Sequence, residues 1–264
     1  MDTMAKRWKR LEPKIEVYGP EDSKPRPAVL LFHGCGGVRD HIRHYGEVAA
    51  AQGYRAFVVD SFAARGWTRA FGLMFVCTGL QFQGAERAGD VLSSCWGLVS
   101  KRPDVDASKI VLAGWSHGSW AIMDLMTMPL SAYGEAYLEN PSPAPLAGVQ
   151  GLFLAYPYGG FGALSRSKPW VRSPRTLGII ALQDHITAAG DADRIYQPAI
   201  KSGADVDIWR VQGTHAFDEE HASLGVMRYD KTLTEEAHEK FKGFLAKTLG
   251  PAEARAETQR AKSA

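Results

Sequence analysis

Six short runs of nearly continuous apolar residues punctuate the chain, at 28–33, 54–60, 109–115, 149–156, 176–183 and 206–211. Each is rich in Val, Ile, Leu or Phe and too short to display a helical stripe, so each predicts a strand. Apolarity on successive residues, rather than on alternate ones, predicts strands covered on both faces. A weaker run at 14–18 predicts an earlier strand. Between the runs lie amphipathic stretches at 39–52, 85–101, 117–128, 191–202 and 234–247, which predict helices. Strand and helix in alternation, with no internal repeat, predict an α/β fold: a mostly parallel central sheet with helices on both faces.

Two connections, 61–84 and 158–175, are longer than a simple crossover needs, and a third, 131–147, is rich in Pro and Gly. Long loops in a compact domain are commonly functional, and in an open parallel sheet they rim the carboxyl edge, where ligands bind. Trp67, Phe71, Tyr158 and Phe161, with Phe75 and Trp170, are therefore candidates for the walls of an apolar pocket. The rival reading is that these rings only pack the loops onto the core.

Composition narrows the picture. The 264 residues carry 31 Lys+Arg against 29 Asp+Glu, a formal charge of +2, which argues against a protein that coats nucleic acid. An apolar share of 45% and a charged share of 23% suit a globular chain with a sizeable core. One domain over residues 1–250 is expected, with 251–264 as a polar, disordered tail. Both ends look like appendages. The basic N-terminus is not followed by an apolar segment, and no run of about 18 apolar residues occurs. A cytoplasmic protein without a membrane span is expected. Three widely spaced cysteines, Cys35, Cys77 and Cys95, are odd in number and fit neither a disulfide framework nor a paired zinc site. They point to a reducing compartment, with Cys35 as a small apolar filler.

The sharpest local signal is Gly114-Trp115-Ser116-His117-Gly118, where a predicted strand ends and a predicted helix begins. The pattern G-x-S-x-G in that context marks a turn that lifts the serine hydroxyl above the sheet, with glycines where a Cβ would collide. A serine hydroxyl needs a base to take its proton and a carboxylate to orient that base. Asp184 follows the run GIIALQ, and His215 follows the last strand in VQGTHAFD. Both sit at loop tips above the same edge as Ser116. Asp191 and Asp193 are rival acids, better read as opening the next helix; His185 and His221 are rival bases, and Asp218 is placed to touch the His215 ring. After the first strong strand, His33-Gly34-Cys35-Gly36-Gly37 lets backbone amides approach a ligand, so the Cys35 and His117 N–H groups are candidates to receive an oxyanion. His33 reads as structural.

Two other chemistries fit poorly. A dinucleotide-binding G-x-G-x-x-G starting at Gly34 would need glycine where Arg39 stands. The pairs His41/His44 and His215/His221 lack a third ligand at motif spacing, so no metal site is assigned.

In order along the chain, HGCGG, VVDSFAARGW, GWSHGSW, ALQD and GTHAFD resemble the dienelactone hydrolase branch of the α/β-hydrolase superfamily over about residues 27–248. The resemblance implies an α/β-hydrolase fold, a Ser116–Asp184–His215 triad and an oxyanion hole from the Cys35 and His117 amides. The enzymes that give the family its name use cysteine as nucleophile, whereas this chain has Ser116. The implied activity is hydrolysis of a small carboxylic ester or lactone, with no cofactor. The alternatives are amide or peptide cleavage by the same triad, and a non-catalytic binding protein that keeps the fold.

Overall fold

The structure is a computed structural model, and it is described over residues 1–186, 194–222 and 225–250. The 251–264 tail and the first part of the helix expected at 191–202, with Asp191 and Asp193, lie outside the described residues. Seven strands form one sheet: β1 (Ile15–Tyr18), β2 (Arg26–Phe32), β3 (Arg55–Val59), β4 (Val105–Trp115), β5 (Val149–Ala155), β6 (Arg175–Ala181) and β7 (Val206–Val211). Their order is β1-β3-β2-β4-β5-β6-β7, with β1 antiparallel to β3 and every other pair parallel. Among the described residues the α-helices longer than one turn are α1 (Met4–Leu11), α2 (Asp40–Ala51), α3 (Gly84–Lys101), α4 (His117–Met126), α5 (Gln197–Lys201) and α6 (Lys231–Leu249). This is the mostly parallel α/β sheet expected from the apolar pattern and the α/β-hydrolase architecture implied by the family resemblance. None of the described helices is long and apolar enough to cross a membrane.

Two apolar layers account for the unbroken runs. Leu30, Phe32, Leu112 and Leu154 pack beneath α1, α3, α4 and α5, while Val29, Leu31, Val111 and Phe153 pack beneath α2 and α6. Because successive side chains of a strand point to opposite faces, both sets must be apolar once both faces are covered.

The strand order has a functional consequence. From β2 the chain crosses to β3 on one side and later returns to β4 on the other, so β2 and β4 flank the reversal point where a crevice opens at the carboxyl ends of the strands. Phe32 of β2 lies opposite Gly114 of β4. The glycine turn after β2 is thereby set beside the turn after β4.

Helix α1 is absent from the sequence-based expectation because its stripe is thin: Met4, Trp8 and Leu11 are the large apolar residues of an eight-residue segment with four basic side chains. Buried ion pairing holds it. Arg7 Nη1 reaches Asp90 Oδ1 of α3 at 3.0 Å, and Arg65, from the loop after β3, contacts both Asp90 oxygens at 2.8 and 2.9 Å. Burial alone would raise the Asp90 pKa, but the charges and hydrogen bonds of Arg65 and Arg7 outweigh it and bring the carboxyl to about 2. A carboxyl with a folded pKa below its ordinary value stabilises fully above about pH 4, and that contribution fades as pH falls toward 2. Asp90→Asn should therefore cost about 3–5 kcal/mol at pH 7 by removing the buried negative charge that two guanidinium groups share, with the gap closing toward pH 2. Urea unfolding across that range checks this; a gap that does not change with pH would contradict it.

Candidate active site

Ser116 sits between β4 and α4 with φ 51° and ψ −110°, a conformation few side-chain-bearing residues adopt. The glycines that flank it answer to space. A Cβ on Gly114 would lie 2.6 Å from the Ser119 nitrogen, and one on Gly118 would collide with the Phe32 carbonyl of the neighbouring strand. The Ser116 amide donates to Ala155 O at 2.9 Å, which anchors the turn to β5.

Three side chains from separate strand ends meet there. Ser116 Oγ is 2.8 Å from His215 Nε2, and His215 Nδ1 is 2.7 Å from Asp184 Oδ2. All three are buried: Ser116 is 7% exposed, Asp184 6% and His215 5%. A carboxylate can only accept, so Nδ1 carries the proton and Nε2 is left as acceptor for the serine hydroxyl. Asp184 Oδ1 also accepts the Ile186 amide at 2.8 Å, which fixes the carboxylate plane. The Tyr156 ring packs edge-on against His215 at 4.9 Å. Asp218, expected near His215, instead accepts from Tyr156 Oη at 2.5 Å and from Trp115 Nε1 at 3.2 Å. It supports the ring that supports the histidine. His185 and His221 are exposed and outside the group.

The turn after β2 is held from within. His33 Nδ1–H donates to Gly34 O at 2.6 Å, and the Gly37 amide donates to the same oxygen at 3.2 Å. Across a trans peptide the carbonyl and the next N–H point in opposite directions. Holding Gly34 O inward therefore turns the Cys35 N–H outward. The His117 N–H is an open donor at the N-terminus of α4, and among the described residues neither amide has an acceptor. Both residues border the same cavity as Ser116 and His215.

That cavity measures about 200 Å³. Its walls include Leu73, Val76, Trp120, Tyr158, Ile186 and Met227. Of the six rings expected from the sequence, Tyr158 lines it, while Phe75 packs on Phe71 at 4.9 Å. Trp67 and Phe71 instead stack on each other at 4.8 Å and pack against a satellite cluster of Phe62, Val76 and Phe82. Phe161 is 85% exposed and Trp170 is buried in the main core, so neither is a wall. Aromatic residues in the 61–84 loop are caught by one another before they reach the pocket. Leu73 and Val76 come instead from the short π-helix Gly72–Val76 of that loop, which has no period to read in the sequence. At the rim Arg39 and Arg69 share one carboxylate, Glu219, at 2.9 and 3.5 Å.

The cysteine count misleads. Cys35 and Cys77 are joined by a disulfide, and only Cys95 is free, buried, with burial pushing its thiol up to about 12. Cys35 is thus a crosslink rather than a filler, and the ground for expecting a reducing compartment is removed. The bond ties the turn after β2 to the end of the π-helix. Gly72 packs so tightly there that an added Cβ would lie 2.5 Å from the Cys35 carbonyl.

A family model described as the dienelactone hydrolase family matches residues 15–147. No curated protein matches the sequence. Among solved structures, a putative dienelactone hydrolase from Klebsiella pneumoniae is 13% identical, with 88% of this chain and 92% of that one covered and a TM-score of 0.65. A promiscuous phosphotriesterase of dienelactone hydrolase type from metagenomic libraries is 15% identical over 89% and 92%, with a TM-score of 0.63. Esterase 2 of Thermogutta terrifontis, in a butyrate-bound form, is 17% identical over 90% of each chain, with a TM-score of 0.62. At these identities the likeness is one of fold.

Thiol titration of the unfolded, unreduced protein should find one reactive cysteine, and reduction should lower stability by about 2–4 kcal/mol, as expected when a long loop is released. Three reactive thiols before reduction would contradict the crosslink.

Proposed function

The chain belongs to the dienelactone hydrolase family, and from that premise we propose that it is a serine hydrolase cleaving a small carboxylic ester or lactone, with no cofactor. The observation that carries this reading is the continuous chain of contacts from Asp184 through His215 to Ser116, at 2.7 and 2.8 Å.

In the proposed reaction Ser116 Oγ attacks the carbonyl carbon as its proton passes to His215 Nε2. Asp184, accepting the Nδ1–H, holds the imidazole in the required tautomer and stabilises the imidazolium. The carbonyl oxygen becomes an oxyanion facing the N–H groups of Cys35 and His117. Collapse breaks the bond to the alkoxy oxygen, which takes the proton from His215, leaving an acyl group on Ser116. Water then gives a proton to His215 and attacks the acyl carbon; a second collapse returns the proton to Ser116 and frees the acid. For a lactone, the alcohol and the acid leave as one molecule.

A cavity of about 200 Å³ lies below the usual range for ligand pockets of about 300–1,000 Å³, which favours short acyl groups. Two guanidinium groups against one carboxylate at the rim favour substrates that carry a negative charge. The Cys35–Cys77 bond favours an oxidising compartment over the cytoplasm expected from the sequence.

The test is chemical. A fluorophosphonate probe should label Ser116, and Ser116→Ala should abolish both the label and turnover of p-nitrophenyl acetate. Esterase 2 of Thermogutta terrifontis has been solved phosphonylated by sarin, a precedent for the probe. Asp184→Asn should lower kcat by about 10⁴-fold through loss of the tautomer. Along a p-nitrophenyl ester series, kcat/KM should fall as the acyl chain lengthens and rise for a short acyl group bearing a carboxylate. Absence of label on folded protein would defeat the reading, and indifference to chain length and charge would defeat the substrate class.

A further inference from the structure

Beneath the two turns lies a cation that the reaction above does not use. Arg87, on the first turn of α3, has no exposed surface. Its Nη1 donates to the His33 carbonyl at 2.7 Å and to His117 Nδ1 at 2.8 Å. Because Nδ1 accepts, the proton of the neutral His117 ring is on Nε2, which donates to Phe82 O at 2.7 Å. The ring is thus fully engaged away from the pocket. Burial, and then the Arg87 charge, push the His117 pKa well down, which keeps it neutral. The same two causes act in the same order on His33.

One guanidinium nitrogen therefore touches both chain segments that bear the outward-facing amides. On the β2 side it holds the carbonyl of His33, whose own imidazole holds Gly34 O and so aims the Cys35 N–H. On the β4 side it holds the ring of the residue whose backbone N–H is the second donor. Sheet hydrogen bonds between β2 and β4 end at Phe32 and Gly114. Past that point Arg87 bridges the two segments.

Stability alone does not account for this side chain. Arg87 Nε and Nη2 are buried without a hydrogen-bond partner among the described residues, and burying an incompletely satisfied cation is costly. An apolar side chain of similar length would fill the space without that penalty. The Phe82 ring, 5.9 Å from the guanidinium carbon, and Asp90 one turn along α3 offset part of it. The remaining cost goes into an interaction whose geometric effect falls on the two amides.

We propose that Arg87 is a positioning residue that fixes the separation and aim of the Cys35 and His117 N–H donors by gripping the His33 carbonyl and the His117 ring with one nitrogen. The proposal rests on the reading of those amides as the oxyanion-binding pair. Its effect belongs to the transition state, because the donors meet full negative charge only once the carbonyl becomes tetrahedral.

Arg87→Met, similar in length and apolar, tests it with p-nitrophenyl acetate as substrate and a trifluoromethyl ketone as probe of the tetrahedral adduct. The expected result is a loss of about 10²-fold in kcat, the scale of a donor lost or misplaced by about 1 Å. KM should stay within about threefold, and affinity for the ketone should fall in step with kcat/KM. His117→Ala keeps the backbone amide but removes one grip; it should cost about tenfold in kcat alone and nothing further in the Arg87→Met background, as coupled groups behave. A folded Arg87→Met with kcat within about threefold of the parent, or with substrate and ketone affinity falling equally, would overturn the proposal. If Arg87→Met does not fold, normal kcat in His117→Ala overturns it by itself. Failure of the unaltered protein to hydrolyse the ester or bind the ketone would instead refute the oxyanion reading on which the proposal rests.

Discussion

The left-handed turn at Ser116 is the constraint around which the rest is arranged. A serine at φ 51° is held there against a cost of about 1–3 kcal/mol, and it persists because strand, helix and neighbouring backbone leave no other course for the chain. β4 delivers the turn at the reversal point of the sheet, α4 takes up its amide direction, and Gly118 lets the Phe32 carbonyl approach where any side chain would collide. With the hydroxyl fixed, the ends of β6 and β7 need only place Asp184 and His215 at hydrogen-bond distance. Parallel strands that end on one edge bring the two side chains there, with the chain after His215 turning through Ala216 at φ 52°.

Around that turn the fold accepts buried charge and polar groups. Asp90 is paired by Arg7 and Arg65, and through it α3 holds both α1 and the loop that supplies the π-helix. Arg87, one turn earlier on the same helix, faces the two glycine-rich segments instead. The disulfide between Cys35 and Cys77 then closes the outer wall against the turn. Helix α3 thus organises the space under the site while contributing no side chain to the cavity lining itself.

What the sequence made legible follows from where the information lies. Ser116 and Asp184 each follow a strongly apolar run and His215 a mixed one, VDIWRV, and a strand end is a position that hydrophobic pattern locates well. The glycine turn after β2 was equally readable, because glycine at that density has few other uses. The pocket was not. Its walls come from the long 61–84 loop and from single residues such as Ile186 and Met227, where no period links sequence to direction. Arg87 escaped for the opposite reason: on a helix whose buried face carries Arg87, Asp90, Ser93 and Ser94, polarity marks the inside as well as the outside. The disulfide was hidden because pairing depends on the path of a loop, and an odd count argued against it. Helix α1 was missed since its apolar stripe is only Met4, Trp8 and Leu11 in a strongly basic segment, and a buried ion pair of Arg7 helps dock it.

The central claim is that Ser116 carries the acyl group between two proton transfers through His215. Quenching the protein with acid during turnover of a p-nitrophenyl ester, followed by digestion and mass spectrometry, measures this directly. The account predicts the acyl mass on the peptide that contains Ser116, and on no other. Steady turnover with the acyl group on a different residue, or with no acylated peptide and no rapid first release of p-nitrophenol, would contradict it.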